Sequence, residues 1–318
     1  MKKYLSLVGV FLVLVLVGTN FQSLSDQIIL RNYSPPPAVA KMSQDTTMTD
    51  RGKNIFYVNK PKFDDKKSFT QDCTVDEQSI VLGCYVERKG IYLLTVDEPK
   101  LAGVMQVTSA HEMLHAAYDR LSRSEKKKID AEIERVFPSV KNPRVRKNVE
   151  AYRAKDASSV PGELHSILGT EVAELSPMLE QYYAKYFSNR QKIVKYSSDY
   201  EQAFVSIQDQ VSTYDKQLES LKATIDANQN DLKAKGDELA SQRKNIERDI
   251  AQGKGEELNP QIEAFNSAVS SYNDLLNQTK EQIETYNGII IKRNDLVTEE
   301  KSLIQAIDAN INPLGSSQ

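Results

Sequence analysis

Apolar residues recur every three or four positions through the second half of the chain, which is the pattern of amphipathic helices. One such stripe covers 193–246, although beyond residue 225 only every seventh position stays apolar. A second stripe covers 262–307, after a glycine-containing break at 253–255. Two long helices joined by a short turn predict an antiparallel coiled-coil hairpin over residues 188–311, with a tail at 312–318.

Upstream of this hairpin, the pattern predicts strands first and helices afterwards. Ile91–Val96 is rich in β-branched and aromatic side chains and predicts a strand, entered through a turn at Lys89-Gly90. Asp97 and Pro99 then predict the start of a helix. Later helices are expected at Ser124–Phe137, Arg144–Lys155 and Gly162–Leu175. This order favours an α+β domain, placed over residues 49–187.

The N-terminus carries a targeting segment. Two lysines precede an unbroken apolar stretch from Tyr4 to Gly18, a length that suits either a signal peptide or a short membrane span. The residues that follow contain no typical cleavage site, so residues 1–21 are predicted to be an uncleaved anchor. The N-terminus would then lie inside and the remainder outside the cytoplasm; cleavage and secretion is the alternative. Residues 22–48 contain three consecutive prolines and predict an extended linker.

Composition adds two points to this picture. The 318 residues suit two domains, and the formal net charge of −3, without a basic cluster, argues against nucleic-acid binding. Cys73 and Cys84 are the two cysteines of the chain. Outside the cytoplasm, such a close pair predicts a disulfide; the alternative, an accessory metal site, is rarely built from two cysteines alone.

The main candidate for chemistry is the segment His111-Glu112-Met113-Leu114-His115, which reads HExxH. The chain has only three histidines, and this motif holds two of them. On a helix, positions i and i+4 lie on one face, so both imidazoles can reach one metal ion, and Glu112 can act on a water beside it. Zinc (Zn2+) is the metal expected from these ligand types, although other divalent ions remain open.

With this motif, the stretch from about Tyr85 to Glu174 resembles the zincin metallopeptidases. The resemblance implies a catalytic domain in which Glu112 is the general base, with the Ile91–Val96 strand bordering the substrate cleft. The implied fold class is an α+β zincin-like metallopeptidase domain followed by a long all-α antiparallel coiled-coil hairpin.

The third metal ligand is the open question of this resemblance. Residues 115–121 lack the glycine and third histidine of the metzincin motif, whereas gluzincins take a glutamate from a later helix. The segment Glu171–Glu174 is similar to their glutamate-bearing stretch, with valine in place of glycine, so Glu171 is the first choice. His165 and then Glu163 are the alternatives. If Glu171 binds the metal, His165 is free to stabilise the transition state or to serve only structurally.

Three functions compete on this basis. The leading one is a membrane-anchored, extracytoplasmic zinc metallopeptidase that cleaves a peptide or protein substrate. The second is a scaffold protein, in which the coiled coil binds a protein partner or self-associates and the zincin-like domain is inactive. The third is a metal-dependent hydrolase of a cell-envelope amide, which would use the same site chemistry.

Overall fold

The structure, a computed structural model, describes residues 22, 24–73 and 82–309. The chain forms two compact units: one takes the residues up to Ala203 and those from Leu303 onward, and the other is Phe204–Ser302. The predicted anchor and tail lie outside the described residues. Within the described part, no helix combines the length and apolar character needed to cross a bilayer.

A small mixed sheet in the first unit has the strand order β1–β3–β2. Strand β1 (Lys62–Asp64) pairs in parallel with β3 (Gly90–Leu94), and β2 (Gly83–Val86) pairs with β3 in antiparallel fashion. The predicted hairpin turn between β2 and β3 is confirmed, and Arg88 adopts a left-handed φ of 63° in it. In the described sheet β3 is therefore the central strand and β2 is an edge.

Helices make up most of the first unit, as expected for an α+β domain, but the predicted order of strands before helices is wrong, because helices also precede β1 and lie between β1 and β2. In chain order they are α1 (Pro37–Asp45), α2 (Asp50–Val58), α3 (Lys66–Asp72), α4 (Val104–Asp119), α5 (Arg123–Val136), α6 (Pro143–Lys155), α7 (Val160–Glu171) and α8 (Pro177–Tyr183). Polar side chains fix several of the starts. Ser122 and Glu125 form a capping box before α5, and Asn142 and Ser176 cap α6 and α8.

The start of α4 differs from the prediction. Glu98, rather than Asp97, caps a 3₁₀ turn over Pro99–Leu101, and α4 itself begins only at Val104. Gly103 separates the two with a φ of 99°, which is favourable only for glycine. The sequence pattern did not predict this break because the apolar spacing continues across it.

Residues 22–48 do not form the extended linker that was expected. Residues 24–32 and α1 are helical, and Val39 and Met42 of α1 are buried in the main core. Pro37 opens α1 at a position where its missing N–H costs no hydrogen bond. The prolines therefore introduce a helix that completes the domain.

The second unit contains the long helices predicted from the two apolar stripes. Helices α9 (Arg190–Ala251) and α10 (Asn259–Ile307) form an antiparallel pair whose connection includes Gly253, with a φ of 81°. Two polar positions that interrupt the second stripe have partners across the pair: Arg293 donates to Asp215 at 2.9 Å, and Glu300 accepts from Gln208 at 2.9 Å. Both hydrogen bonds join residues that the antiparallel pairing brings opposite each other.

Both ends of the long helices belong to the first unit. Ile193, near the start of α9, is 0% exposed within the main core. At the far end of α10, Ala309 packs with Phe69, Leu94 and the disulfide Cys73–Cys84, whose Cα atoms are 6.0 Å apart. The predicted disulfide is confirmed.

Candidate metal centre

Helix α4 supplies the two histidines from a firmly packed position. Ala110, Met113 and Leu114 on its inner face are each 0% exposed. At Gly169 of α7, a Cβ would lie 2.4 Å from Leu114 Cδ1, so this glycine lets the two helices approach closely. The four-residue spacing of His111 and His115 leaves both side chains on one side of α4, and they are 18% and 19% exposed.

Helix α7 brings Glu163 to these histidines. Pro161 lies in the first turn of α7, so Glu163 follows directly after the helix start. Gly162 lies beside the ring of His115, because a Cβ there would make an ordinary van der Waals contact of 3.8 Å with its Nδ1 atom. The side chain of Glu163 is 15% exposed and faces both rings.

The three donor atoms converge at distances suited to one metal ion. The two Nε2 atoms of His111 and His115 are 3.0 Å apart, and the carboxylate oxygens of Glu163 lie 3.6 Å and 3.5 Å from them. Ligand bonds of roughly 2.0–2.1 Å at tetrahedral angles would put neighbouring donors about 3.3 Å apart. Within the described residues, this is the cluster of histidine, cysteine, aspartate or glutamate that could hold a metal.

The chemistry of this donor set also fits a divalent cation. Burial of the Glu163 carboxylate acts to raise its pKa, but hydrogen bonds and charge interactions with His111 and His115 outweigh this and hold the pKa well below its ordinary value. The carboxylate therefore stays ionised. Two imidazole nitrogens and one carboxylate oxygen are ligands that zinc accepts in catalytic sites.

Glu171, the first sequence choice for the third ligand, is engaged elsewhere. It is the last residue of α7, and its carboxylate accepts a hydrogen bond from Arg144 at the start of α6. Arg144 also lies 3.2 Å from a carboxylate oxygen of Glu201. The structure thus brings Glu163, and not Glu171, to the two histidines.

His165, the second choice, lies behind the site in a fully buried aromatic cluster. Its Nε2 atom is 2.8 Å from the hydroxyl of Tyr182, and its ring packs against Tyr118 and Tyr183. Burial is the main cause that lowers its pKa well below the ordinary value, so the ring is neutral. At 0% exposure, His165 does not face an incoming substrate in this structure.

Glu112 is 6% exposed and lies against the edge strand of the sheet. A Cβ at Gly83 in β2 would be 2.9 Å from Glu112 Cγ and 3.1 Å from its Oε1 atom. The strand expected to border the cleft, Ile91–Val96, corresponds to the central strand β3, whose two edges are both paired. The strand beside Glu112 is β2, the partner of β3 in the predicted hairpin, to which the sequence assigned no role at the site.

Comparison of the chain with models of known protein families, with curated proteins and with solved structures gives no match. The residues of this chain are therefore the basis for assigning a function. What they establish is a His111–His115–Glu163 cluster that could hold a metal ion, with Glu112 on the same helix as the two histidines.

Proposed function

We propose that this protein is a zinc-dependent metallopeptidase. The observation that carries the proposal is the convergence of His111, His115 and Glu163 on one point, together with the glutamate that directly follows the first histidine. A histidine pair with one glutamate leaves a fourth coordination position for water or substrate, as catalytic zinc sites require. A structural zinc site would instead be closed by a fourth protein ligand.

The residues of the chain divide the work between binding and proton transfer. His111, His115 and Glu163 would hold the metal, which when bound would supply Lewis-acid activation of water near neutral pH. Glu112 would take a proton from that water as the water oxygen bonds to the peptide carbonyl carbon, and would give the proton to the amine that leaves when the C–N bond breaks. The Glu112 side chain is buried beside β2.

We further propose that the catalytic unit works outside the cytoplasm, anchored through residues 1–21. The disulfide Cys73–Cys84 supports this, since such bonds persist mainly in oxidising compartments. The apolar stretch that follows two lysines in the sequence is the second support. Protease added to intact cells tests the location: it should digest the unit if the unit lies outside the cytoplasm, and a unit that stays protected contradicts the proposal.

The hairpin is proposed to bind a coiled-coil partner or a second copy of the chain. The length of the two helices, 62 and 49 residues, supports this because the pair offers a long helical surface to a partner. Sedimentation of the purified chain tests self-association: a concentration-dependent dimer supports it, and a monomer at all concentrations excludes a second copy as the partner.

The decisive experiment combines metal content with peptide cleavage in the full-length chain, purified in detergent without affinity metals. We expect about one zinc per chain by elemental mass spectrometry, and cleavage of a peptide library that 1,10-phenanthroline abolishes. Glu112→Gln should keep the zinc and lose the cleavage, whereas Glu174→Gln, at an exposed position after α7, should keep both. Cleavage that persists in Glu112→Gln, or a chain that binds no zinc, overturns the proposal.

A further inference from the structure

The approach of strand β2 to helix α4 is closer than any residue with a side chain would permit. A Cβ on Gly83 would lie 2.6 Å from Thr108 Cγ2 and 2.9 Å from Glu112 Cγ, both far inside normal contact distance. The φ of Gly83 is outside the left-handed region, so its backbone conformation does not require glycine. The absence of a side chain therefore lets the strand approach the face of α4 that carries Thr108 and Glu112.

Strand β2 is held firmly at this point. Gly83 pairs with Leu93 of the central strand, and Leu93 is 1% exposed. The next residue, Cys84, is bonded to Cys73 and packs beside Phe69 in a buried cluster. The backbone at residue 83 thus has covalent and packing restraints against moving away from α4.

Helix α4 is equally restrained, because Ala110 and Met113 on either side of Glu112 are 0% exposed. A methyl group added at residue 83 must therefore be accommodated mainly by the two side chains that it meets, Thr108 and Glu112. The side chain of Glu112 is flexible enough to turn away, but doing so moves its carboxylate.

We propose that Gly83 is a positioning residue for Glu112: the bare backbone of the edge strand, fixed by the Cys73–Cys84 disulfide, confines the carboxylate to the orientation used for proton transfer. This inference rests on the proposed hydrolytic function of Glu112. It adds that the orientation of the base is set by β2, whereas metal binding is set by α4 and α7.

The test replaces Gly83 by alanine in the full-length chain. We expect kcat to fall on the order of 10- to 100-fold, with KM and zinc content close to wild type, because displacement of a catalytic group by about 1 Å can cost this much. In the double variant Gly83→Ala/Thr108→Ser the 2.6 Å clash is gone, since serine lacks Cγ2, but the clash with Glu112 remains. Its thermal stability should recover while kcat stays low.

Gly52→Ala is the matched control. A Cβ there would lie 2.5 Å from the carbonyl oxygen of Tyr186 and 3.3 Å from Met48, so it is as crowded as Gly83 but meets neither Glu112 nor a histidine. We expect lower stability with an unchanged kcat for the molecules that remain folded.

A second readout does not depend on turnover. The visible spectrum of the Co2+-loaded chain is recorded against pH for the wild type, Glu112→Gln, Gly83→Ala and Gly52→Ala. We expect the pH at the midpoint of the spectral change to shift in Glu112→Gln. It should shift in the same direction in Gly83→Ala and keep its wild-type value in Gly52→Ala.

The outcomes separate this inference from the proposed function. A wild-type chain that binds neither zinc nor Co2+ overturns the proposed function, and the inference with it. If the wild type binds metal but Gly83→Ala has a wild-type kcat or a wild-type Co2+ midpoint, the positioning role is refuted while the metal site stands. Recovery of kcat in Gly83→Ala/Thr108→Ser would assign the effect to Thr108 and also refute it.

Discussion

Arg144 binds the carboxylate of Glu171 at the C-terminal end of the same helix that presents Glu163 near its N-terminal end. Eight residues of α-helix separate the two glutamates by about 12 Å along the axis, so they cannot hold the same ion. One carboxylate is paired with a guanidinium and the other with two imidazoles. Glu163 thus belongs to the candidate metal cluster, whereas Glu171 forms an ion pair with Arg144.

Substitution of these glutamates should separate metal binding from stability. We expect Glu163→Ala to lose bound zinc, because two histidines alone leave the site incomplete. Glu171→Ala should retain zinc but lower the free energy of unfolding by about 2 kcal/mol, since Arg144 loses a partly buried partner. Elemental mass spectrometry and urea unfolding measure the two effects. Loss of zinc in Glu171→Ala alone would contradict the assignment.

The buried histidine can be tested through its neighbour. Tyr182→Phe removes the hydroxyl that bonds to His165 Nε2 and should lower the free energy of unfolding by about 1–3 kcal/mol, because a buried nitrogen loses its partner. Since His165 is fully buried, zinc content and kcat should change little. A selective loss of kcat with normal stability would show that the ring takes part in the reaction after all.

Reduction of the disulfide should destabilise the first unit. The bond Cys73–Cys84 closes a loop with a sequence separation of 11, for which chain entropy gives about 2–3 kcal/mol. Thermal unfolding with and without a phosphine reductant measures the change. The variant Cys73→Ala/Cys84→Ala is the control, because the chain has no other cysteines and the reductant should leave its unfolding unaltered.

Arg190, at the start of α9, binds the backbone just after the C-terminal end of α7. Its guanidinium donates to the carbonyl oxygens of Val172 at 2.6 Å and Ala173 at 2.9 Å, and it pairs with Glu180. Arg190 is 5% exposed. Arg190→Met should therefore lower the free energy of unfolding by about 3 kcal/mol or more, because these acceptors lose a charged partner. Urea unfolding checks this against Arg243→Met, an exposed arginine in the hairpin, which should change little.

The spacing of apolar residues was sufficient to predict the long helices, but helical spacing could not identify the third residue of the metal cluster. The stripes that predicted the hairpin are long, and the polar interruptions at Arg293 and Glu300 are paired across it. On α7, by contrast, Glu163 and Glu171 lie close to one face of the helix, so spacing could not choose between them. The choice depends on Arg144, which is remote in sequence and reaches Glu171 only in the folded unit.

The HExxH motif located the two histidines because its chemistry is local to one helix. Gly83 could not be found in the same way, since its role depends on a distance across the fold. The extended linker predicted from the prolines at 35–37 was wrong for a related reason. Proline is typical of both extended linkers and first helical turns, and only the burial of Val39 and Met42 distinguishes the two.

The packing of Ala309 beside Phe69 and the disulfide has a consequence for biosynthesis. Because residues from both sides of Phe204–Ser302 complete the first unit, the hairpin is an insertion within that unit in the order of the chain. The unit cannot finish folding during translation until the last turn of α10 has been made. A nascent chain stalled before residue 303 would therefore leave the cluster around Phe69 and the disulfide without Ala309, and truncation at the hairpin would remove part of the first unit's own core.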